Sequence, residues 1–408
     1  MRDMVEIGMG RVARRTYELD DVDIVPSRRT RSSKQVSLAW QLDAYRFEVP
    51  VLAHPTDALV SPEFAIELGR LGGLGVINGE GLWARHADVQ AKVDQLIDLV
   101  DKGGYERAIA LLQELHAAPM QPDLLATAVA QVRAAGVTTA VRVSPQNARA
   151  LTPALVQAGV DLLVVQGTII SAEHVGGSVS AASAGPSVVT RAASSGPVAP
   201  AAEPLNLKTF IAELDVPVVA GGVSDHRTAL HLMRTGAAGV IVGYGSYPGA
   251  TTTGEVLGIG VPMATAIADA AAARRDYLDE TGGRYVHVIA DGDVATSGQL
   301  AKAIACGADA VMLGVPLSVS AEAPGRGWYW PSAAAHPSVP RGSFLPVDES
   351  WLDGAGGAVT RPNLERVLYG PSDDPFGSLN LVGGLRRSMA KAGYSDLKEF
   401  QKVGLTVR

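Results

Sequence analysis

The sequence predicts an α/β protein of the (β/α)8 TIM-barrel class, and three observations favour that fold. Short β-branched runs alternate with longer Ala- and Leu-rich stretches of helical period, which is the pattern of parallel βα units. Eight such runs occur, the number that a closed barrel needs. A doubly wound open sheet uses the same units, but an internal repeat between residues 216–243 and 286–314 favours the barrel.

The eight predicted strands are spread along most of the chain. They are residues 49–53, 74–77, 139–143, 162–166, 216–221, 239–243, 285–290 and 310–314. Helix starts are predicted at Ser61-Pro62, Thr152-Pro153 and Ser224-Asp225, because each pair offers an N-cap side chain or a proline for the first helical position. We therefore expect residues 1–408 to form a single barrel domain.

Three segments lie outside the predicted βα units. Residues 176–202 form a low-complexity Ala, Ser, Gly and Pro tract that cannot bury enough apolar surface to order itself, so a disordered insert is expected after the fourth strand. Residues 321–370 are rich in Pro, Gly and aromatic residues, and a loop of that length usually has a function, so they are predicted to form a flap. Residues 371–408 form a C-terminal segment with helical signals.

The composition excludes several classes of protein. Of the 408 residues 47% are hydrophobic and 19% are charged, the net charge is −7, and there is one cysteine. These values do not fit a disordered chain, a disulfide scaffold or a basic nucleic-acid or membrane binder. The sequence also has no apolar run of about 18 residues and no zinc-protease, CxxC or P-loop motif, and its first residues lack the long apolar stretch typical of a signal peptide. We expect a cytoplasmic protein without a metal-ligand cluster.

In a (β/α)8 barrel the functional residues lie just beyond the carboxyl ends of the strands. These positions hold His54, Pro55, Asp57, Asn78, Glu80, Gln166, Thr168, Gly221, Gly222, Asp291, Gly292 and Gly314. Glycine turns that lead toward helix N-termini let backbone N–H groups approach a phosphate, so a phosphorylated ligand is predicted. Asp291 either caps the turn after its strand or accepts hydrogen bonds from sugar hydroxyls.

Two residues with reactive side chains are expected to be structural. Cys306 ends a predicted helix on the side of the barrel away from the carboxyl ends of the strands, which is the wrong end for a nucleophile. His287 lies inside a predicted strand, where we expect it to face the core or a helix.

Five segments together resemble the IMP dehydrogenase/GMP reductase family, most closely its bacterial IMP dehydrogenase-related branch without the regulatory CBS module. They are YELDDVDIVPS at 17–27, HPTDALV at 54–60, VGYGSYPGATTTGEVLGIGVP at 242–262, IADGDV at 289–294 and LVGGLRRSMAKAGY at 381–394. The resemblance implies a homotetrameric or octameric barrel that binds a purine nucleoside monophosphate beside NAD. It also implies an oxidoreductase of GMP biosynthesis.

The resemblance assigns residues to each part of the site. Those implied for the nucleotide are Pro55, Asp57, Ser246, Asp291, Gly292 and Gly314, with Asp291 on the ribose and Ser246, Gly292 and Gly314 on the phosphate. Those implied for the cofactor are Gln166, Gly167, Thr168, Gly243, Tyr244 and Gly245. Gly243 and Gly245 are also implied to border a monovalent cation such as potassium.

The glycine-rich loop departs from the family at the catalytic cysteine, which in the family attacks C2 of the purine so that hydride leaves to NAD. The loop here has no cysteine. Counting forward from Val242 places Ala250 at that position, whereas counting back from Pro262 places Thr251 there. Thr251 is therefore the candidate nucleophile, and its hydroxyl would need an adjacent base.

Three further positions differ from the family pattern. The fourth strand ends in Gln166 where the family has an aspartate for the cofactor ribose. The fifth ends in Gly222 where the family has a polar side chain. The adjacent Arg-Tyr pair that activates water in the family is missing from the long loop, and Arg366 and Tyr369 are the nearest candidates.

The sequence leaves three functions open. The first is an oxidoreductase that acts on a purine nucleotide by a modified mechanism. The second is a non-catalytic nucleotide-binding or regulatory partner protein of purine metabolism. The third is an FMN-binding barrel, because a phosphate site after the seventh and eighth strands also suits that cofactor.

Overall fold

The centre of the protein is a closed barrel of eight parallel strands. The computed structural model describes residues 4–167, 172–174, 205–244, 254–332, 343–347 and 361–408. The barrel strands, numbered along the chain, are β1 Val51–Ala53, β2 Leu74–Asn78, β3 Ala140–Val143, β4 Leu162–Gln166, β5 Val218–Val223, β6 Gly239–Val242, β7 His287–Asp291 and β8 Ala310–Leu313. Pairing of Val311 with Val51 joins β8 to β1 and closes the barrel. The predicted fold class is confirmed.

Helices follow the strands around the barrel. Those in the described residues are Pro62–Arg70, Val89–Asp101, Tyr105–Ala117, Pro122–Ala134, Ala148–Ala158, Leu207–Ala212, His226–Met233, Gly254–Leu257, Met263–Thr281, Ser297–Cys306, Val315–Ser318, Leu364–Tyr369, Leu381–Ala392 and Leu397–Phe400. The strands are buried and form the main apolar core together with the inward faces of the helices, as expected for a parallel sheet covered by helices. Among the described residues there is no helix that is long and apolar enough to cross a membrane.

Two of the predicted helix starts are confirmed. Ser61 is the N-cap of the helix Pro62–Arg70, and its Oγ accepts a hydrogen bond from the backbone N–H of Phe64 at 3.0 Å. Asp225 is the N-cap of the helix His226–Met233, and its side chain accepts backbone N–H groups of the first turn. Each cap satisfies donors that have no partner inside the helix.

The predicted start at Thr152-Pro153 is wrong. The helix Ala148–Ala158 begins one turn earlier and contains Pro153 in its interior. The Thr152 hydroxyl donates to the carbonyl of Ala148 at 2.7 Å, so it bonds backward along the helix and does not cap it. Pro153 is the sixth residue of this helix, beyond the first turn, so its missing N–H removes one hydrogen bond of the helix and the proline does not mark the helix start.

Short antiparallel pairs complete the described fold. They are Met4–Gly8 with Arg11–Arg14, Val22–Val25 with Gly404–Val407, Trp40–Leu42 with Tyr45–Phe47, Glu173–His174 with Leu205–Asn206, and Trp328–Tyr329 with Leu345–Pro346. The Trp40–Leu42 hairpin lies at the amino-terminal rim of the barrel, because the Trp40 ring meets the ring of His287, the first residue of β7, with 5.9 Å between centroids.

A second apolar cluster lies beside the barrel. It joins the helices Val89–Asp101 and Tyr105–Ala117 to aromatic side chains of the region predicted as a flap, among them Trp328 and Trp330. The indole N–H of Trp328 donates to Asp101 Oδ1 at 2.7 Å. The first part of the flap region is therefore anchored to the helices that follow β2.

Parts of the predicted insert and flap lie outside the described residues. The insert at residues 176–202 does so entirely, and residues 333–342 and 348–360 of the flap do so as well. The disorder predicted for the insert therefore stays a prediction.

Candidate functional site

The carboxyl rim of the barrel brings together three residues that the sequence places at strand ends. Asp291 ends β7 and is only 2% exposed. Its Oδ2 accepts a hydrogen bond at 2.7 Å from Nε2 of Gln166, which ends β4, and lies 3.9 Å from Nε2 of His54, which follows β1. The three meet because parallel strands in a barrel end at the same rim.

His54 is neutral at physiological pH. Its side chain is buried, and burial together with the nearby charge of Arg142 lowers the pKa of the imidazole to about 3. Both causes disfavour the imidazolium. His54 therefore serves the site as a neutral hydrogen-bonding group and not as a cation for a phosphate.

Arg142 is a site residue that the sequence reasoning missed. It lies on β3, its Nη2 donates to the carbonyl of Gln166 at 2.8 Å, and its Nη1 is 3.7 Å from Oε2 of Glu80. Glu80 in turn accepts the backbone N–H of Ser144. The signal was present in the sequence as a single basic residue inside an otherwise apolar strand. Arg142 thus links the rim ends of β2, β3 and β4.

Gln166 presents a buried acceptor beside Asp291. Its Oε1 has no hydrogen-bond partner among the described residues, while its Nε2 is held by the Asp291 carboxylate. If the Gln166 amide were turned around, its oxygen would face the Asp291 carboxylate and two acceptors would meet. The contact with Asp291 therefore fixes the orientation of the Gln166 amide. Because buried polar atoms are normally paired, Oε1 is suited to accept a hydrogen bond from a ligand hydroxyl.

Gly314 follows β8 and lies under the hydroxyl of Tyr329. A Cβ at Gly314 would come within 2.9 Å of Tyr329 Oη, so only glycine fits without displacing the ring. Burial, and secondarily the charge of Asp291, raise the pKa of the fully buried Tyr329 hydroxyl well above its usual value. The hydroxyl is therefore a neutral donor between the ends of β7 and β8, where Gly292 also lies.

A close contact with the backbone explains why the fifth strand has a glycine, Gly222, near its carboxyl end. A Cβ at Gly222 would lie 2.0 Å from the carbonyl oxygen of Gly243, so the position where the family has a polar side chain has no room for one here. Gly243 in turn has a φ of +106° directly after β6, and the following Tyr244 bonds through its hydroxyl to the hydroxyl of Ser224. Gly243 and Tyr244 thus lie at the carboxyl rim.

Asp57 and Pro55 are engaged by other parts of the protein. Asp57 Oδ1 accepts the backbone N–H of Leu82 at 3.1 Å, and its Oδ2 is 3.2 Å from Nε2 of His116. The carbonyl of Pro55 accepts the hydroxyl of Ser332 at 3.0 Å. These contacts hold the loop after β1 in place, and direct contact of either residue with a nucleotide stays a prediction.

Cys306 and Tyr369 lie away from the carboxyl rim. Cys306 ends the helix Ser297–Cys306, which leads into the start of β8, and burial raises the pKa of its thiol to about 11. The Tyr369 hydroxyl donates at 2.6 Å to the carbonyl of Leu71, which precedes β2. The placement of Cys306 agrees with the sequence prediction, whereas Tyr369 is at the wrong rim to activate water at this site.

Several predicted site residues lie outside the described part of the chain. They are Thr168, Gly245, Ser246, Ala250 and Thr251.

Gly167 is described and donates its backbone N–H to the carbonyl of Gly221 at 2.9 Å. Arg366 pairs with Asp373 at 3.0 Å. Within the described ranges no group of three or more His, Cys, Asp or Glu residues could hold a metal ion.

The fold is that of a (β/α)8 barrel protein, and its carboxyl rim holds the candidate functional site. A family model described as IMP dehydrogenase / GMP reductase domain matches residues 16–184 and 205–344. A solved structure of an IMP dehydrogenase/GMP reductase-like protein from Corynebacterium glutamicum is 54% identical, with a TM-score of 0.85 over 100% of this chain and 98% of that one. The chain belongs to the IMP dehydrogenase/GMP reductase family of oxidoreductases.

Curated relatives support the same assignment. An uncharacterized oxidoreductase of Mycobacterium tuberculosis is 73% identical over 405 residues, which is 99% of this chain and 100% of that protein. The inosine-5'-monophosphate dehydrogenase of Aquifex aeolicus is 35% identical over 210 residues, 48% of this chain and 39% of that protein. The resemblance drawn from the five sequence segments is confirmed.

Proposed function

We propose that the protein binds a purine nucleoside monophosphate at the carboxyl rim and acts on it as an NAD-dependent oxidoreductase that uses no cysteine. The observation that carries this proposal is the buried Asp291 carboxylate with the Gln166 amide held against it. A carboxylate buried at the mouth of a barrel is suited to accept hydrogen bonds from the vicinal hydroxyls of a ribose.

The phosphate group is proposed to lie near Gly292 and Gly314, with Ser246 as a third contact. Gly292 follows Asp291 with a φ of +147°, and Gly314 lies close beneath the Tyr329 hydroxyl, which a Cβ at this position would meet at 2.9 Å. Backbone N–H groups at glycine turns and a neutral hydroxyl are suitable donors for an anion. Tyr329 therefore supports the phosphate part of the proposal.

The nicotinamide cofactor is proposed to bind beside Gln166, Gly243 and Tyr244. The fit rests on Gln166 Oε1, a buried acceptor without a partner among the described residues, at the position that the resemblance gives to the cofactor ribose. When bound, this cofactor accepts or donates a hydride. The chain's own part is to hold the ribose at Gln166, whose orientation Asp291 sets. A potassium ion near Gly243 and Gly245 stays a prediction.

A second function, nucleotide binding without turnover, is favoured because the thiol of Cys306 lies far from the carboxyl rim. Cys306 is the single cysteine of the chain and lies where its helix leads into β8, at the amino-terminal rim. Its raised pKa also keeps it protonated near neutral pH. A covalent route through a cysteine is therefore not open at the carboxyl rim, and a binding or regulatory partner in purine metabolism is the alternative.

Titration calorimetry and thermal shift with IMP, XMP, GMP and FMN test the proposed binding. A saturating ligand at one hundred times its Kd raises stability by about 2.7 kcal/mol, which is readily measured. Absorbance of NADH with the bound nucleotide and NAD or NADH then decides between the two functions. Turnover supports the oxidoreductase, and binding without turnover supports the partner protein. Binding of FMN alone, or of none of these ligands, would overturn the proposal.

Cys306→Ala is expected to leave nucleotide binding and any turnover within about a few-fold of the parent, with a packing cost of about 1 kcal/mol. The reason is the distance between the two rims: β8 alone has four residues, which span about 13 Å at 3.3 Å each. Calorimetry, turnover and the thermal midpoint measure this. Loss of turnover in a variant with an intact midpoint would contradict the non-thiol route.

We also propose that the chain assembles as a homotetramer or octamer. The hairpin Met4–Gly8 with Arg11–Arg14 supports this, because Met4, Ile7 and Val12 are more than half exposed on it. Apolar side chains gathered on one ribbon are typical of an interface. Light scattering on the full chain measures the mass, and a monomer at micromolar concentration would contradict the assembly.

A further inference from the structure

A cavity of about 720 Å³ opens at the amino-terminal rim of the barrel, opposite Asp291. The rim is identified by its lining, which includes Val218 and His287, the first residues of β5 and β7, and Ala238, which precedes β6. The volume lies within the range of about 300 to 1,000 Å³ that is typical of small-molecule sites. None of the roles derived for the carboxyl rim uses this cavity.

Three aromatic rings form one wall of the cavity. The His287 ring lies 5.0 Å from the ring of Tyr285 and 5.9 Å from the ring of Trp40, measured between centroids. Burial lowers the pKa of His287, so its ring is neutral at physiological pH. Aliphatic side chains such as Leu214 complete the lining. The rings are inclined to one another, by 68° and 64°, so they offer uncharged faces and edges, against which a planar ring can pack.

Two cationic side chains lie at the same cavity. The guanidinium of Arg284 donates one hydrogen bond, from Nη2 to the carbonyl of Gly236 at 2.7 Å, and the residue is exposed. Lys398 Nζ lies 3.5 Å from the centroid of the Tyr285 ring and 2.8 Å from Asp309 Oδ1. A guanidinium has five N–H donors and an ammonium three, so both groups keep donors for an anion.

Of the four carboxylates that line the cavity, two are bonded within the protein and two are exposed. Asp309 is buried and bonded to Arg274 and Tyr285 as well as Lys398, so its charge is neutralised within the protein. Asp396 is the N-cap of the helix Leu397–Phe400. Asp43 and Asp215 are exposed in the lining and can accept hydrogen bonds from amino or hydroxyl groups of a ligand.

We propose that this cavity is a second ligand site, which takes a planar aromatic compound that carries an anionic group. The ring packs against Trp40 and His287, because Lys398 and Arg274 already lie over the Tyr285 ring, and the anion lies at Arg284 and Lys398. Purine nucleotides and aromatic carboxylates share this chemistry. The site is independent of the function proposed for the carboxyl rim, from which β7 separates it by its full length.

Calorimetry with ATP and with indole-3-carboxylate as probes tests the proposal on the full chain. Leu214→Trp fills the cavity and Arg284→Glu reverses the charge at it. Each is expected to weaken binding of a probe by about tenfold or more. Val156→Trp and Arg275→Glu are matched controls, because both residues are exposed and absent from the lining. Circular dichroism confirms the fold of each variant.

The outcomes separate this site from the carboxyl rim. Saturable binding of either probe that falls in Leu214→Trp and Arg284→Glu, but persists in Asp291→Ala and in the controls, supports the proposal and identifies the ligand class. Absence of binding by both probes overturns it. Binding that is lost in Asp291→Ala and unchanged in the cavity variants also overturns it, because the probe then occupies the carboxyl rim.

Discussion

Asp309→Ala is expected to lower the free energy of unfolding by about 3 to 5 kcal/mol, the cost of breaking a buried ion pair on one side. Asp309 directly precedes β8 and is 2% exposed. It accepts hydrogen bonds from Arg274 Nη1 at 2.6 Å and from the Tyr285 hydroxyl at 2.7 Å. The substitution leaves the guanidinium of Arg274, itself 7% exposed, buried without this carboxylate. Urea unfolding measures the loss.

Asp23→Ala is the matched control for this prediction. Asp23 also binds an arginine, Arg408, at 2.7 Å, but the side chain is 42% exposed and the pair lies on the surface. Exposed pairs contribute about 0 to 1 kcal/mol, so the control is expected to lose no more than that. A loss of no more than about 1 kcal/mol in Asp309→Ala, the range expected of the control, would show that the Asp309 cluster does not stabilise the barrel.

The same cluster predicts a dependence of stability on pH. Burial opposes ionisation of Asp309, but the charges of Arg274 and Lys398 outweigh it and lower the pKa of the carboxyl below its usual value. A pKa that is lower in the folded than in the unfolded state stabilises the fold above about pH 4, and this contribution is lost as the pH falls below that value. Asp309→Ala is therefore expected to flatten the acid limb of the stability profile.

Asp291→Ala is expected to weaken binding of the purine nucleoside monophosphate by about 10- to 150-fold, the effect of losing charge-assisted hydrogen bonds worth about 1.5 to 3 kcal/mol. Asp291 is the buried carboxylate at the end of β7, and Gln166 is oriented by it. Asp291→Asn keeps an acceptor but not the charge, so an intermediate loss is expected. Calorimetry with the nucleotide that binds the parent protein gives the affinities.

The control for Asp291→Ala is Asp276→Ala. Asp276 is a carboxylate on the helix Met263–Thr281 that bonds His226 on the surface, at 2.8 Å. Nucleotide affinity is expected to be unchanged in this variant. A folded Asp291→Ala protein that binds the nucleotide as tightly as its parent would remove the ribose role of Asp291 and with it the main support for the proposed function.

Most of the barrel could be predicted from local patterns. A strand that is buried on both faces is a short apolar, β-branched run between turns, so all eight strands could be recognised in the sequence. The caps at Ser61 and Asp225 are equally local, because an N-cap bonds within its own first turn. The start at Thr152-Pro153 was wrong because the helix runs through Pro153, its sixth residue, and the Thr152 hydroxyl bonds backward to Ala148.

The candidate site was predicted only in part. Chain order relative to the strands was enough to place Asp291, Gln166 and His54 at the carboxyl rim and Cys306 at the other. It could not show that Gln166 donates to Asp291, 125 residues further along the chain, because that contact exists only once the barrel closes. Arg142 was missed for the same reason, since its bond to the Gln166 carbonyl joins two strands.

The sequence by itself determined the fold class, the strand order, the rim on which each strand-end residue lies and the family to which the chain belongs. These properties depend on side-chain types at short spacing, which burial and turn geometry constrain locally. Only the tertiary structure decided the neutral state of His54, the burial of Tyr329 beside Gly314 and the cavity at Arg284 and Lys398. Each of these depends on distances between segments far apart in the chain, and desolvation and Coulomb energies follow those distances.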